Sequence, residues 1–516
     1  MTQRFELAFI GDGTSAINAG DALYTSDQYA VPLHNIATTI FGKGKKEACG
    51  RGFAYGEVGG ALGNLTESPL DGAADYHPTS KGLFPRYAAE KQGREPHQIT
   101  QASRQLIGDF HAARYEDTQR LAQQKDSSLD FVSAEITNLV RTGDHFRLID
   151  ARNRDVGTAH HVALALGDIL STRFSRAEKL YPGQVFATPY HAVKTILANN
   201  GEDRTIVSFG TRSSFVDLVN GLADKGYQGR IKGYSQTRQT SWQAREGVEY
   251  YPLHYLDLAN GKSFGTVRNV LIALHHELQH AERNGVYVPE SLIKNIGQQI
   301  YSAAPQRLQW NYDLKEEAKY ADQRTYHEVA MVVPWQKIYE TLNNDQERKL
   351  FRDVLLDFSL YNRSNRIIPR DYKEFIGHVE AGRAEISKGS FSEKSISSAK
   401  DGRLLVTLDD GNTVTADYVV NSAIGPVSAR EQIATVPVLA NLVRQGLIKA
   451  GEGTGFSVTE AGHGISLLGA QARQPADGIG LETNGRTIVN SWLPHVTTCI
   501  RQSLPNPNTR KVISHG

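Results

Sequence analysis

Two short stretches of this sequence place glycine and small hydroxyl residues where a chain needs them to cradle phosphate. Gly11-Asp12-Gly13-Thr14-Ser15-Ala16 follows the apolar run Phe5–Ile10 and precedes an alternating small and apolar stretch through Leu23. A strand that stops at glycines opening a helix presents free backbone N–H groups and the positive end of the helix dipole, a combination that favours pyrophosphate. In the pattern G-x-G-x-x-A the first glycine permits the tight turn and the second admits the phosphate, while the small last residue lets helix and strand pack closely. Gly11, Gly13, Thr14, Ser15 and Ala16 are therefore expected to form a dinucleotide turn. The second stretch, Gly210-Thr211-Arg212-Ser213-Ser214, lies between the apolar run Thr205–Phe209 and a helical pattern ended by Gly226, with a further strand from Arg230. That is a complete βαβ unit in about 30 residues. Arg212 stands where a second glycine is expected, and a side chain there either obstructs the phosphate or pairs with it bidentately.

A third pattern points to different chemistry. His276-Glu277-Leu278-Gln279-His280 has the H-E-x-x-H spacing that sets two imidazoles on one helix face for zinc, with Glu as general base. No G-x-x-H continuation follows, and the third ligand would have to be Glu290 or a more distant residue. A solvated helix face is the preferred reading, and no metal is expected. No Ser/His/Asp constellation and no catalytic acid or base is assigned.

These motifs need elements to hold them. Residues 34–41 read as a second strand that ends in the turn Gly42-Lys43-Gly44-Lys45-Lys46, where an Asp or Glu for the adenosine ribose is expected. The nearest acid is Glu47, so that contact is missing from its usual place. Residues 130–168 alternate apolar and polar around Thr142-Gly143-Asp144, which predicts two or three strands interrupting a nucleotide fold before a return to its sheet. Residues 267–358 read as largely helical, a cap or insert on the α/β body. Residues 403–408 and 413–420 alternate around Asp409-Asp410-Gly411-Asn412, a hairpin signal whose second strand runs on into the small-residue turn beginning at Asn421.

Composition narrows the classes. At 516 residues the chain exceeds one ordinary core and suggests two to four domains. Its 57 Lys and Arg against 56 Asp and Glu leave a net charge of +1, which supplies no field for nucleic acid or an anionic membrane. The two cysteines, Cys49 and Cys499, are far apart and form no C-x-x-C, which argues for a reducing compartment and against a dithiol centre. With no signal-like N-terminus and no apolar run approaching ~20 residues, a cytoplasmic protein is expected.

Taken together, the two turns and the two apolar strands ending in small residues resemble the two-dinucleotide flavoprotein family, near its N-hydroxylating monooxygenases. The resemblance implies an FAD site on the Gly11 to Ala16 turn and an NADPH site on the Gly210 to Ser214 turn. It also covers Arg51-Gly52-Phe53-Ala54-Tyr55-Gly56, Leu62-Gly63-Asn64-Leu65 near the flavin, Phe84-Pro85-Arg86, and Arg104 to Phe110. Ala165-Leu166-Gly167-Asp168 and Asn421 to Pro426, with Gly425, are similar to the two strand ends that close over the nucleotides. Segments 478–483 and 496–502 resemble a stretch that lays N–H groups against the flavin. By the same resemblance, Arg51, Tyr55, Asn64 and Leu65 join the FAD site, with Asn64 the polar group beside the flavin; Lys43 joins it as a cation of the basic turn 43–46 within reach of a phosphate. Arg238 is placed to meet an NADP 2′-phosphate.

The implied fold is α/β: a Rossmann-like FAD-binding domain with a second, inserted Rossmann-like NAD(P)-binding domain and a helical insert. The boundaries expected are 1–170 for the first part of the FAD domain, 171–255 for the NAD(P)-like domain, 256–375 for the helical insert, and 376–516 for the return to both. The implied activity is hydride transfer from NADPH to flavin followed by oxygenation of a small-molecule substrate. Two other readings stay open: a flavin oxidase or dehydrogenase with a degenerate NAD(P)H site, favoured by Arg212 and Gln236, and a non-catalytic nucleotide-binding protein, favoured by the absent ribose acid at Gly42. Substrate identity and oligomeric state are not legible.

Overall fold

The structure is a computed structural model that describes residues 5–25, 35–52, 56, 67–69, 83–99, 101–167, 169, 171–199, 204–236, 240, 242–243, 251–258, 262–309, 314–320, 323–364, 366–367, 369–423, 427–451 and 455–468. Two five-stranded parallel sheets form its frame. In the first, the strands lie in the order Ile465–Leu467, His161–Leu164, Phe5–Ile10, Ile36–Gly42, Ser128–Ser133. In the second the order is Val185–Phe186, Tyr418–Asn421, Thr205–Phe209, Arg230–Ser235, Ala384–Lys388. Each sheet centres on the strand that feeds its glycine turn. Each also recruits strands from widely separated parts of the chain.

The helices behind the turns explain the small and apolar patterning. Helix Thr14–Thr25 lays Ala16, Ala19, Ala22 and Leu23 on the first sheet with no exposure, and the alanines let its axis approach closely. Helix Ser213–Asp224 buries Phe215, Val216, Leu218, Val219 and Leu222. A Cβ at Gly233 would come within 2.7 Å of the Phe215 ring, so glycine at that strand position makes room for the phenyl group. Burying such a side chain is worth about 2–3 kcal/mol.

Two of the predicted strands divide between sheets. Residues 130–140 split at Ala134-Glu135: Ser128–Ser133 belongs to the parallel sheet, and only Ile136–Thr142, His145–Asp150 and Asp155–Ala159 form the inserted antiparallel meander. Residues 413–420 split at Asp417. Thr413–Ala416 pairs with Leu404–Thr407, whereas Tyr418–Asn421 enters the second parallel sheet. The nearly buried Asp417 carboxylate accepts the Thr205 N–H at 2.8 Å and pairs with Arg204 at 2.8 Å, which anchors the crossing point.

The expected helical segment forms Val267–Arg283, Glu290–Tyr301, Leu314–Ala318, Tyr326–Val332, Trp335–Glu340 and Asp345–Ser364. It has its own core around Leu271, Leu274, Leu278, Trp335, Phe351 and Phe358. Among the described residues, no helix is long and apolar enough to cross a membrane.

Candidate functional site

Each glycine turn is built the same way. Gly11 has φ +111°, and a Cβ there would stand 2.1 Å from the Ala165 carbonyl oxygen, just past the strand His161–Leu164. Its N–H donates to Phe41 O at 2.8 Å, and the Ala165 N–H donates to Ile10 O at 2.7 Å. Three strand ends thus converge on a residue that cannot carry a side chain. Gly210 has φ +97°, and a Cβ would meet the Ala423 nitrogen at 2.7 Å, beyond the strand Tyr418–Asn421. The Gly210 N–H donates to Tyr234 O at 2.9 Å, and the Ser422 N–H to Phe209 O at 2.8 Å.

The second positions differ. At Gly13 an added Cβ would approach, among the described residues, the Gly52 Cα alone, at 3.7 Å, so two glycines face each other at the start of helix Thr14–Thr25. The Ala16 and Ile17 N–H groups bond to Gly13 O at 3.1 and 3.4 Å, which leaves the Thr14 and Ser15 N–H groups without an intrahelical acceptor, and the first turn holds no acid. Arg51, beside Gly52, pairs with Asp109 at 2.9 Å, and its Nε is buried without a partner among the described residues. An open glycine pair, free helix N–H groups and an orphaned guanidinium nitrogen suit a pyrophosphate. Arg212 begins helix Ser213–Asp224 with extended backbone, φ −88° and ψ −157°, a conformation that needs no glycine. Its side chain is half-buried beside the half-buried Ser213 and Ser214.

The residue between the glycines reaches across each turn to the end of the next strand. In the second unit, the Thr211 hydroxyl donates to Ser235 Oγ at 2.9 Å. In the first unit, the Asp12 carboxylate lies over Gly42, where an added Cβ would fall 2.1 Å from its Oδ2. Burial pushes the Asp12 carboxyl above its ordinary value, while its own N–H, the Gly44 N–H and Lys43 pull it back down. Sequence reasoning passed over Asp12. The available signal was an acid between the turn glycines together with a strand end written Gly42-Lys43-Gly44.

The remaining expected residues are dispersed. Lys43 is exposed and pairs with Glu135 at 2.7 Å. Gly167 has φ +70°, and among the described residues no atom lies within 4 Å of where its Cβ would be. Tyr55, Asn64, Leu65, Gly425, Arg238 and the segments 478–483 and 496–502 lie outside the described residues. Tyr190 is buried with its hydroxyl bonded to Arg104 and Ser214, and burial raises its pKa. Arg104, from the first unit's long helix Arg104–Gln124, also pairs at 3.2 Å with Asp217, whose side chain is 1% exposed, and so ties the two nucleotide units together. Cys49 is buried and its thiol is pushed up to about 12, chiefly by burial and then by Asp12, which leaves it unreactive.

The H-E-x-x-H segment is helical, but its face is not solvated at Glu277, contrary to the sequence reading. Glu277 has no exposure, and its carboxylate accepts the N–H groups of His254, Tyr255 and Leu256 at 3.0, 2.7 and 3.0 Å. It straps the 251–256 loop to the helix and is not free to serve as a base. The His280 ring lies tilted at 58° against His254 with centroids 4.2 Å apart, and Glu290 pairs with Lys294 at 2.7 Å. Among the described residues, no group of three His, Cys, Asp or Glu is arranged to hold a metal ion. Gly261-Lys262-Ser263-Phe264-Gly265 has nucleophile-elbow spacing that sequence reasoning missed. The Ser263 hydroxyl donates to the Thr341 carbonyl at 3.2 Å, and no strand among the described residues leads into it.

Comparison with known proteins agrees with this geometry. Residues 8–169 match the family described as FAD-NAD(P)-binding, a span that contains the first turn and the strand end at Ala165. No curated protein matches the sequence. Among solved structures, the chain is similar to L-lysine 6-monooxygenase from Pseudomonas syringae, with 13% identity, a TM-score of 0.55, and coverage of 96% of this chain and 99% of that one. It is also similar to ornithine hydroxylase from Pseudomonas aeruginosa, with 11% identity, a TM-score of 0.52, and coverage of 96% and 100%. At these identities the likeness establishes a shared fold, an α/β fold with two Rossmann-like parallel sheets.

Proposed function

We propose that this protein is an FAD-dependent oxidoreductase, an NAD(P)H-using monooxygenase that hydroxylates a small molecule. The observation that carries the reading is the doubled turn: Gly11 closed by Ala165 in one parallel sheet, and Gly210 closed by Ala423 in the other. One dinucleotide unit would suit many enzymes, whereas two joined by the Arg104–Asp217 pair suit transfer between two nucleotides. The two solved structures of this fold carry the names of amino-acid hydroxylases, which supports the substrate class. The near-neutral charge disfavours nucleic acid as a partner, and two distant cysteines with no C-x-x-C suit a reducing compartment such as the cytoplasm.

Within this reading, Gly11, Gly13, Thr14, Ser15 and Ala16 form the FAD pyrophosphate turn and Arg51 supplies a cation beside it. Thr211, Ser213 and Ser214 offer donors to the NADPH phosphates, and Arg212 faces them as a pairing group. When bound, FAD supplies the redox chemistry, accepting a hydride and passing electrons to oxygen. The chain binds and orients the two nucleotides, and the Arg104 to Asp217 and Tyr190 contacts hold the second turn in register with the first. The domains are read as 1–170, 171–255, 256–375 and 376–516, with the helical portion a cap or insert on the α/β body.

Arg212 favours a second reading, an oxidase or dehydrogenase reduced by its own substrate. One preparation separates the two. The purified protein should carry flavin absorbance, and NADPH should bleach it anaerobically. A protein that neither carries nor takes up FAD refutes both readings, and a yellow protein that NADPH leaves unbleached favours the oxidase.

A further inference from the structure

The geometry points to Asp12 as the acceptor for the adenosine ribose hydroxyls of the first nucleotide, taking the place of the acid that the second strand lacks. In a dinucleotide fold that acid usually stands at the carboxyl end of the second strand and receives the ribose hydroxyls. Here that strand, Ile36–Gly42, ends in glycine, and Lys43 and Gly44 follow. Asp12 comes to the same spot from the opposite side of the turn. A Cβ on Gly42 would be 2.1 Å from Asp12 Oδ2 and 2.4 Å from its Cγ, so the carboxylate occupies the space in which a strand-end side chain would begin. Gly44 lies alongside, where a Cβ would stand in ordinary contact with Oδ2 at 3.4 Å.

Two further observations argue that the placement is built rather than incidental. The Gly50 N–H donates to the Asp12 carbonyl at 2.7 Å, which holds the peptide while the side chain points toward the strand end. A carboxylate beside a pyrophosphate turn would repel the phosphates, and aiming it at the strand end removes that conflict. The second unit has the same cross-turn reach in neutral form, Thr211 to Ser235, with no acid in that pair. The two turns therefore differ in what they offer at the ribose end: an anion in the first, and hydroxyls in the second. A half-buried carboxylate that has lost part of its hydration gains most from hydroxyl donors, as a vicinal diol provides.

This inference rests on the FAD reading above, and its test separates the two. Apoprotein is titrated with FAD and with an FAD analogue lacking both hydroxyls of the adenosine ribose, with binding read from flavin fluorescence and calorimetry rather than from turnover. Wild-type protein should prefer FAD by about tenfold to a hundredfold, the worth of hydrogen bonds to a charged acceptor. Asp12→Asn, close to isosteric, and Asp12→Ala should both reduce that preference several-fold while still binding the analogue about as well as wild type does. The ratio of the two affinities cancels any general loss of folded protein. Wild-type protein that binds FAD and the analogue equally overturns the assignment, as do variants that keep the full preference. Failure of wild-type protein to bind FAD at all overturns the flavoprotein reading itself and this inference with it.

Discussion

Replacing Glu277 tests whether the zinc-like motif is a structural strap. Its carboxylate accepts three main-chain N–H groups from one loop, at 3.0, 2.7 and 3.0 Å, and the bond to Leu256 is fully buried. Hydrogen bonds to a charged group contribute about 1.5–3 kcal/mol each, and these three share one acceptor, so their values do not add. His254 and Tyr255 are exposed, which lets water replace two of the bonds, whereas the Leu256 N–H would be left dry. Glu277→Ala should therefore cost about 3–4 kcal/mol, and Glu277→Gln, which keeps one acceptor, about 2 kcal/mol. Trp335 is fully buried in the same helical core, so its fluorescence, with the chain's other three tryptophans replaced by phenylalanine in both proteins, reports this unit during urea unfolding. With a slope of about 3 kcal/mol/M, the alanine variant should unfold at a midpoint roughly 1 M lower. A Glu277→Gln variant with unchanged urea stability that had lost a zinc-dependent hydrolytic activity would refute the strap and restore the metal reading.

Further substitutions address the frame of the site. Gly11→Ala should abolish flavin retention, because the new Cβ meets the Ala165 carbonyl at 2.1 Å on a backbone with φ +111°; flavin absorbance at wild-type stoichiometry would contradict the convergence of strands described above. Arg104→Met should cost about 3 kcal/mol by stripping the cation from the buried Asp217 carboxylate, and Asp217→Asn in the same chain should recover part of that loss in thermal unfolding. The Glu374 carboxyl is pushed up to about 7, first by burial and then by its hydrogen bond to Asp224 and the charge there. Between its ordinary value of 4.5 and about 7, the folded chain holds a proton that the unfolded chain has released, so this group lowers stability as pH rises through that window. Glu374→Gln should gain Tm relative to wild type between pH 5 and 7.5, and a constant difference across that range would refute the assignment.

The glycine turns were legible because their chemistry is local. A strand, a left-handed glycine and a helix start are contiguous in sequence, and their backbone requirements are written in those same residues. The helical segment was legible for a similar reason, since its apolar spacing repeats within each helix. The divided strands were not. Nothing in the alternation of residues 413–420 separates Ala416 from Tyr418; the division comes from Asp417 meeting Thr205 and Arg204, more than 200 residues earlier. Glu277 misled for the same reason, because its partners at 254–256 lie in a loop that its own spacing does not mention.

What the sequence determined by itself is the pair of glycine turns and the kind of helix behind each, because these follow from the steric freedom of glycine and from apolar periodicity. What only the tertiary structure decided is how each turn is closed and what it presents. Ala165 over Gly11, Ala423 over Gly210, Asp12 across Gly42 and Arg104 against Asp217 each join residues from separate strands or helices. Such contacts depend on strand order and the reach of side chains across it, and neither is encoded in a window of neighbouring residues.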